Sequence, residues 1–202
     1  MKIGVSRSIR RFFSLAVVGV LIALLSACTG RGGGQLPPDT GFTGQAAFGF
    51  DFSCQDSGGL NPPTGKLQIE LAYADRGTSL WLGAPFSIHG IVDQIDPVLE
   101  SAICIGQNPP PGGNELIFLG RYYLTSSAPA GFPSTCPTRQ TATKPLCRFE
   151  VIVRDNDGNL APSPGDYFKI TLSTGTAVTS KLEGTLFYTR GGFLSAGNLT
   201  VN

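Results

Sequence analysis

Apolar and polar residues alternate with a period of two through most of this chain. In "QAAFGFDFSC", Ala46, Phe48, Phe50, Phe52 and Cys54 share one parity, while Ala47, Gly49, Asp51 and Ser53 share the other. That is the pattern of a strand with one face on a core and one in water. "KLQIELAYA" repeats it, with Leu67, Ile69, Leu71 and Tyr73 inward and Lys66, Gln68 and Glu70 outward. "PFSIHGIV" and "ELIFLGRYYL" follow, then "CRFEVIVR", which sets Cys147, Phe149, Val151 and Val153 on one face. "DYFKITLS" aligns Phe168, Ile170 and Leu172, and "KLEGTLFY" and "FLSAGNLTV" close the chain. No sustained helical period with caps appears after the N-terminal region, apart from a short turn near "DPVLESA". The pattern predicts an all-β domain over 45–202, an antiparallel β-sandwich or partly open barrel of seven to nine strands.

The first 27 residues break this rhythm. Lys2, Arg7, Arg10 and Arg11 precede an apolar run from Phe12 to Leu25, the layout of an export signal and shorter than the ~20 residues of a spanning helix. The run ends in Leu25, Ser26, Ala27 and Cys28, which resembles the lipobox of bacterial lipoproteins. The resemblance implies cleavage before Cys28, attachment of a diacylglycerol to its sulfur and anchoring to the bacterial cell membrane or outer membrane, facing periplasm or exterior. Residue 29 is Thr rather than an Asp, which permits an outer-membrane destination. The following "TGRGGGQLPPDTGFTG" has no apolar periodicity, so 28–44 reads as a disordered, lipidated tether.

Processing at that point would leave 175 residues carrying 11 basic and 14 acidic groups, a formal charge of −3. Such a balance argues against nucleic acid as a partner. Frequent Gly (27) and Pro (15) suit a β protein with many turns. Two interruptions stand out: "GQNPPPGG", whose prolines cannot join a ladder, and the long segment from Ser126 to Pro145. Long ordered loops on rigid β scaffolds are where binding surfaces usually sit.

Beside Cys28, the chain has Cys54, Cys104, Cys136 and Cys147. In an exported chain these read as two disulfides with three possible connectivities, of which Cys136 with Cys147 and Cys54 with Cys104 is favoured. A zinc site would need four converging ligands, and the sequence has no C-x-x-C pair and one histidine.

Candidate chemistry is sparse. Asp155, Asp157, Asn159 and Asp166 in "DNDGNLAPSPGD" echo the oxygen spacing of a calcium loop, although Leu160 occupies the place where an EF-hand needs glycine. The same residues suit a hairpin connection equally well. His89 falls on the parity opposite Phe86 and Ile88, which assigns it to the solvent face, and no G-x-S-x-G elbow accompanies it. Glu70, Asp75, Asp93, Asp96, Glu100, Glu115 and Glu150 are scattered, whereas a glycosidase needs two acids facing across a cleft. Trp81, Tyr122 and Tyr123 form a candidate sugar-stacking or partner-binding patch.

The C-terminal half, with Asp155, Asn156 and Gly158, then Gly165, Asp166, Phe168, Ile170, Leu172 and Ser173, then Gly184, Leu186, Gly197, Asn198 and Leu199, resembles the closing strands of the bacterial post-COAP family. "AAFGFDFSC" and "GKLQIELAYADRGTSL" are similar to that family's first two strands, so the resemblance spans most of 45–202. It implies a secreted or envelope-attached all-β module with no established catalytic residues, and no cofactor is expected. The segment from Ser126 to Pro145 and the extra Asp157 depart from the family pattern. The resulting expectation is a non-catalytic binding or structural module, membrane-anchored, with an envelope protein or cell-wall glycan as partner. A carrier with a cavity lined by Phe48, Phe50, Phe52 and Phe118, or a glycan hydrolase, is the alternative.

Overall fold

The computed structural model describes residues 27–55, 66–77, 82–91, 114–139, 145–156, 165–177 and 181–201. Nine strands make up the described part: β1 (Ala27–Leu36), β2 (Ala46–Gln55), β3 (Lys66–Asp75), β4 (Phe86–Ile91), β5 (Glu115–Leu124), β6 (Cys147–Arg154), β7 (Tyr167–Ser173), β8 (Leu186–Phe193) and β9 (Ala196–Val201). They form a single sheet in the order β8-β7-β6-β5-β4-β3-β2-β1-β9. Every pairing is antiparallel. The sheet is a meander from β1 to β8, and the last strand returns to pair with the first.

One continuous sheet has only one way to bury its apolar parity, which is to curl on itself. The inward residues read from the sequence do this: Phe48, Phe50, Phe52, Ile69, Leu71, Tyr73, Phe149, Val151, Val153, Phe168, Ile170 and Leu172 are all buried. Their rings meet across the curl. Phe48 of β2 stacks on Phe168 of β7 at 3.6 Å between centroids, and Phe118 of β5 lies 5.5 Å from Phe50 and 5.2 Å from Phe52. The architecture is therefore a curled half-barrel, the partly open barrel of the two forms expected, and not a two-layer sandwich.

The N-terminal boundary needs correction. Residues 28–44 do not form an unstructured tether, because Ala27–Leu36 is a full strand hydrogen-bonded on both sides, to β2 and to β9. A strand with both edges paired draws its stability from main-chain ladders and from neighbouring side chains that fold over it, so it needs no apolar alternation of its own. Its glycines serve closeness rather than flexibility: a Cβ on Gly34 would lie 2.6 Å from the carbonyl oxygen of Ala196 and 2.8 Å from Leu194. Leu36 and Phe42 are buried, and Asp39 organises the turn between β1 and β2 by accepting from the amides of Thr40 (2.6 Å) and Phe42 (2.8 Å). "DPVLESA", "GQNPPPGG" and the residues before Ala27 lie outside the described residues.

Candidate functional site

At the mouth of the curl where β3 ends, the inward parity of Ile69, Leu71 and Tyr73 continues to Asp75, a buried carboxylate. β8 supplies its partners from the other side of the interior. Arg190 Nη1 donates to Asp75 Oδ1 at 2.7 Å, and the Tyr188 hydroxyl donates to Oδ2 at 2.6 Å. The Tyr73 hydroxyl pairs with that of Tyr188, and the Gly77 amide donates to Asp75 at 3.0 Å. Arg190 Nη2 reaches back to the carbonyls of Pro37 (3.0 Å) and Gly44 (2.6 Å), with its guanidinium 4.5 Å from the centre of the Phe42 ring. The turn read as tether thus caps an internal ion pair that joins β3 to β8.

This network escaped the sequence reading, which placed Asp75 among scattered acids and gave Arg190 no role. The available signal was parity: Asp75 follows Tyr73 by two, and Arg190 follows Tyr188 by two. Chemically the cluster is closed on itself. Both charges lie within the interior with side chains 1% exposed, and the carboxylate accepts from three donors, so it is built to hold the curl and not to receive a proton from a substrate.

Burial pushes the phenols of Tyr73, Tyr122 and Tyr188 far above their ordinary value of 10.0. The folded state therefore holds these protons more tightly than the unfolded chain does. Stability from this source is fully present below pH 10.0 and falls as pH rises beyond it, because the unfolded tyrosines ionise first. At about 1.4 kcal/mol per pH unit for each group, three together give a slope near 4 kcal/mol per unit. In an alkaline titration, phenolate absorbance from these three residues is expected to emerge together with loss of β-sheet circular dichroism; ionisation well before unfolding would contradict their burial.

The seam between β9 and the ends of β6 and β7 is stitched by two of the candidate calcium ligands. Asp166 is buried, accepting from the amides of Leu199 (2.6 Å) and Asn156 (3.1 Å), while Asp155 accepts from Val201 at 3.4 Å. These carboxylates satisfy amides on the edge of β9 that β1 does not use, a means of protecting an open edge. Asp157 and Asn159 lie outside the described residues, and among the described residues no three or more His, Cys, Asp or Glu cluster as metal ligands. With Asp166 committed to the backbone, the thermal midpoint is expected to be the same in millimolar calcium and in chelator. A bound ion at a hundred times its Kd would add about 2.7 kcal/mol and show plainly.

His89 lies on the outer face as its parity indicates, with Nε2 3.1 Å from Glu70 and its ring 5.2 Å from that of Tyr123. The aromatic patch does not assemble: Tyr122 is fully buried, donating to the Ser173 carbonyl at 3.4 Å, whereas Tyr123 is half-buried on the outer face. Adjacent strand residues point to opposite sides of the sheet, which separates them. Trp81 is outside the described residues. Of the remaining acids, Glu115 pairs with Arg154, and Asp93, Asp96 and Glu100 lie outside the described residues.

The long excursion after β5 is clasped by the disulfide Cys136–Cys147, with Cα atoms 5.4 Å apart, as the favoured connectivity has it. Its Phe132 ring packs edge-on against Tyr122 (6.4 Å) and Phe187 (5.6 Å), so the loop is folded down on the end of the barrel. Closing an 11-residue separation is worth about 3 kcal/mol by chain entropy. A Cys136→Ser/Cys147→Ser chain should lose that amount in denaturant unfolding relative to the oxidised wild-type chain; an unchanged midpoint would show that the clasp adds nothing to stability.

At the start of β1, the register sets Cys28 directly opposite Cys54. The side chains of both, and all of Cys104, lie outside the described residues. No helix among the described residues is long and apolar enough to cross a membrane. No protein-family model matches the chain, and no curated protein or solved structure matches it either.

Proposed function

We propose that this chain is a bacterial lipoprotein, exported and held at the envelope by acylated Cys28, whose half-barrel is a non-catalytic binding or structural module related to the post-COAP domains. The observation that carries the reading is the run Leu25, Ser26, Ala27 and Cys28 behind a basic start and an apolar stretch. A cut between Ala27 and Cys28 would leave the ladder of β1 from Cys28 onward in the processed chain. With β1 starting at the anchor, no long leash remains, and the barrel would ride directly on the bilayer surface.

The non-catalytic part rests on how the ionisable groups are used. Asp75 and Arg190 neutralise each other, Asp166 holds backbone amides, and Glu115 is paired with Arg154. The carrier alternative is disfavoured by the rings of Phe48, Phe50, Phe52, Phe118 and Phe168, which fill the space a lipophilic ligand would need. For a partner, the outer face of β5 to β8 is the surface to examine. One row of its register runs Glu115, Arg154, Tyr167 and Phe193, with Phe193 half-exposed and Tyr167 beneath the Arg154 guanidinium.

Metabolic labelling with an alkyne fatty acid tests the anchor: the wild-type chain should take up label and partition into detergent, and Cys28→Ser should do neither. An unlabelled wild-type chain would remove the lipoprotein reading. Cross-linking in intact cells, with the linker placed at residue 193, tests the module, and capture of a defined envelope protein or glycan is the expected result.

A further inference from the structure

With Cys136 and Cys147 joined to each other, three cysteines remain, Cys28, Cys54 and Cys104. Three cysteines permit one disulfide and leave one sulfur over. The β1–β2 ladder decides which two the sheet brings together, because its register runs unbroken from Ala27↔Gln55 through Cys28↔Cys54 and Thr29↔Ser53 to Leu36↔Ala46. Residues directly opposed in an antiparallel pair have Cα atoms about 4.5–5.5 Å apart. A disulfide joins Cα atoms about 4.4–6.8 Å apart, so a bridge at this position asks for no change of register.

We propose that Cys28 has two mutually exclusive fates, set by its position opposite Cys54. In a chain that has not been acylated, Cys28 and Cys54 form a cross-strand disulfide that fastens the first turn of the ladder. Acylation consumes the Cys28 sulfur as a thioether, so the bridge cannot form and Cys54 is left for another partner. The first half stands on the register alone; the second rests on the lipoprotein reading above.

The oxidation needs a disulfide-bearing reagent, for which oxidised glutathione serves in vitro. The thiolate of one cysteine attacks a glutathione sulfur, giving a mixed disulfide and releasing one glutathione thiol. The thiolate of the other then displaces the second glutathione and closes the bridge. Two protein thiols are oxidised and one glutathione disulfide is reduced to two thiols, with no other reactant. The bridge would hold β1 in place, and β1 is the strand on which β9 docks. A chain that missed acylation would thus still have β1 fastened to β2.

The full chain, synthesised without membranes and refolded in mild detergent with oxidised and reduced glutathione, provides the test. Remaining thiols are blocked with a maleimide before tryptic digestion without reduction. Cleavage after Arg31, Lys66, Arg76 and Arg121 places Cys28, Cys54 and Cys104 in three different peptides, so each connectivity has its own mass. A β-sheet circular-dichroism spectrum with a cooperative melt, recorded on the same sample, certifies that the sheet has formed. The expected result is a linked pair of the Cys28 and Cys54 peptides with Cys104 blocked, unchanged in Cys104→Ser. A Cys54–Cys104 link with Cys28 blocked, or all three blocked in a chain with that spectrum and melt, overturns the proposal. The same mapping on chain extracted from bacterial envelopes separates the two readings. An acyl mass on Cys28 with no Cys28–Cys54 link upholds both; a Cys28–Cys54 link without any acyl mass sinks the lipoprotein reading and leaves the disulfide standing.

Discussion

Replacing Asp75 by Ala is expected to cost about 3–5 kcal/mol of folding stability, the range for removing one member of a buried ion pair. The cost arises less from the lost attraction than from what stays behind. Arg190 would keep the carbonyls of Pro37 and Gly44 and the face of Phe42, yet its charge would lie in the interior with no counter-ion. Tyr188 would lose its acceptor at the same time. Urea unfolding measures the loss as a lower midpoint at unchanged slope. The companion experiment is the double replacement Asp75→Leu/Arg190→Met, which removes both charges and should recover most of the loss, because apolar substitutes for a buried pair are often neutral or stabilising. A loss below about 1 kcal/mol in the single variant would show the pair to be solvated, as exposed pairs are.

Gly197→Val is expected to be at least as damaging, and by a different route. Gly197 opens β9 in a left-handed backbone conformation with φ of 113°, which a β-branched residue rarely adopts, at a cost of about 1–3 kcal/mol. A Cβ there would also collide with the backbone of Gly33 and Gly34 on β1, and backbone in a paired strand cannot swing aside as a side chain can. Combined, a loss of about 4 kcal/mol or more is expected. It should release β9 first: the amides of Leu199 and Val201 should exchange hydrogen faster than those of β6, an interior strand paired on both sides. Gly192→Val, in β8, makes the control. Nothing lies within 4 Å of a Cβ at that position, so its cost should be small. Equal losses in the two variants would mean that the close approach of β9 to β1 is not what constrains Gly197.

The two variants bracket what the chain's pattern could reveal. Alternation identified β2 to β7 and the start of β8, which runs on to Phe193 beyond the "KLEGTLFY" read as a strand, and Phe48, Ile69, Phe118, Val151 and Ile170 all lie where that rule sends them. The same rule placed His89 outside. It failed for β1, since a strand of glycines has no parity to read. It passed over Asp75 and Arg190 for a related reason: polarity was taken as a mark of exposure, and two opposite charges that neutralise each other inside violate that assumption together. Tyr122 and Tyr123 were grouped by adjacency along the chain, although neighbours in a strand face opposite sides.

By itself, then, the sequence determined an all-β chain and its inward face, and it favoured the clasp between Cys136 and Cys147 that the structure shows. These follow from periodicity and local spacing, which a linear chain carries without folding. Only the tertiary structure decided that the sheet is single and curled, that residues 27–44 belong to it, that β9 docks on β1, and that Asp75 meets Arg190. Each of these joins residues more than a hundred positions apart or depends on how closely two backbones approach. Such separations and distances are set by the packing of the whole sheet, and no window along the chain contains them.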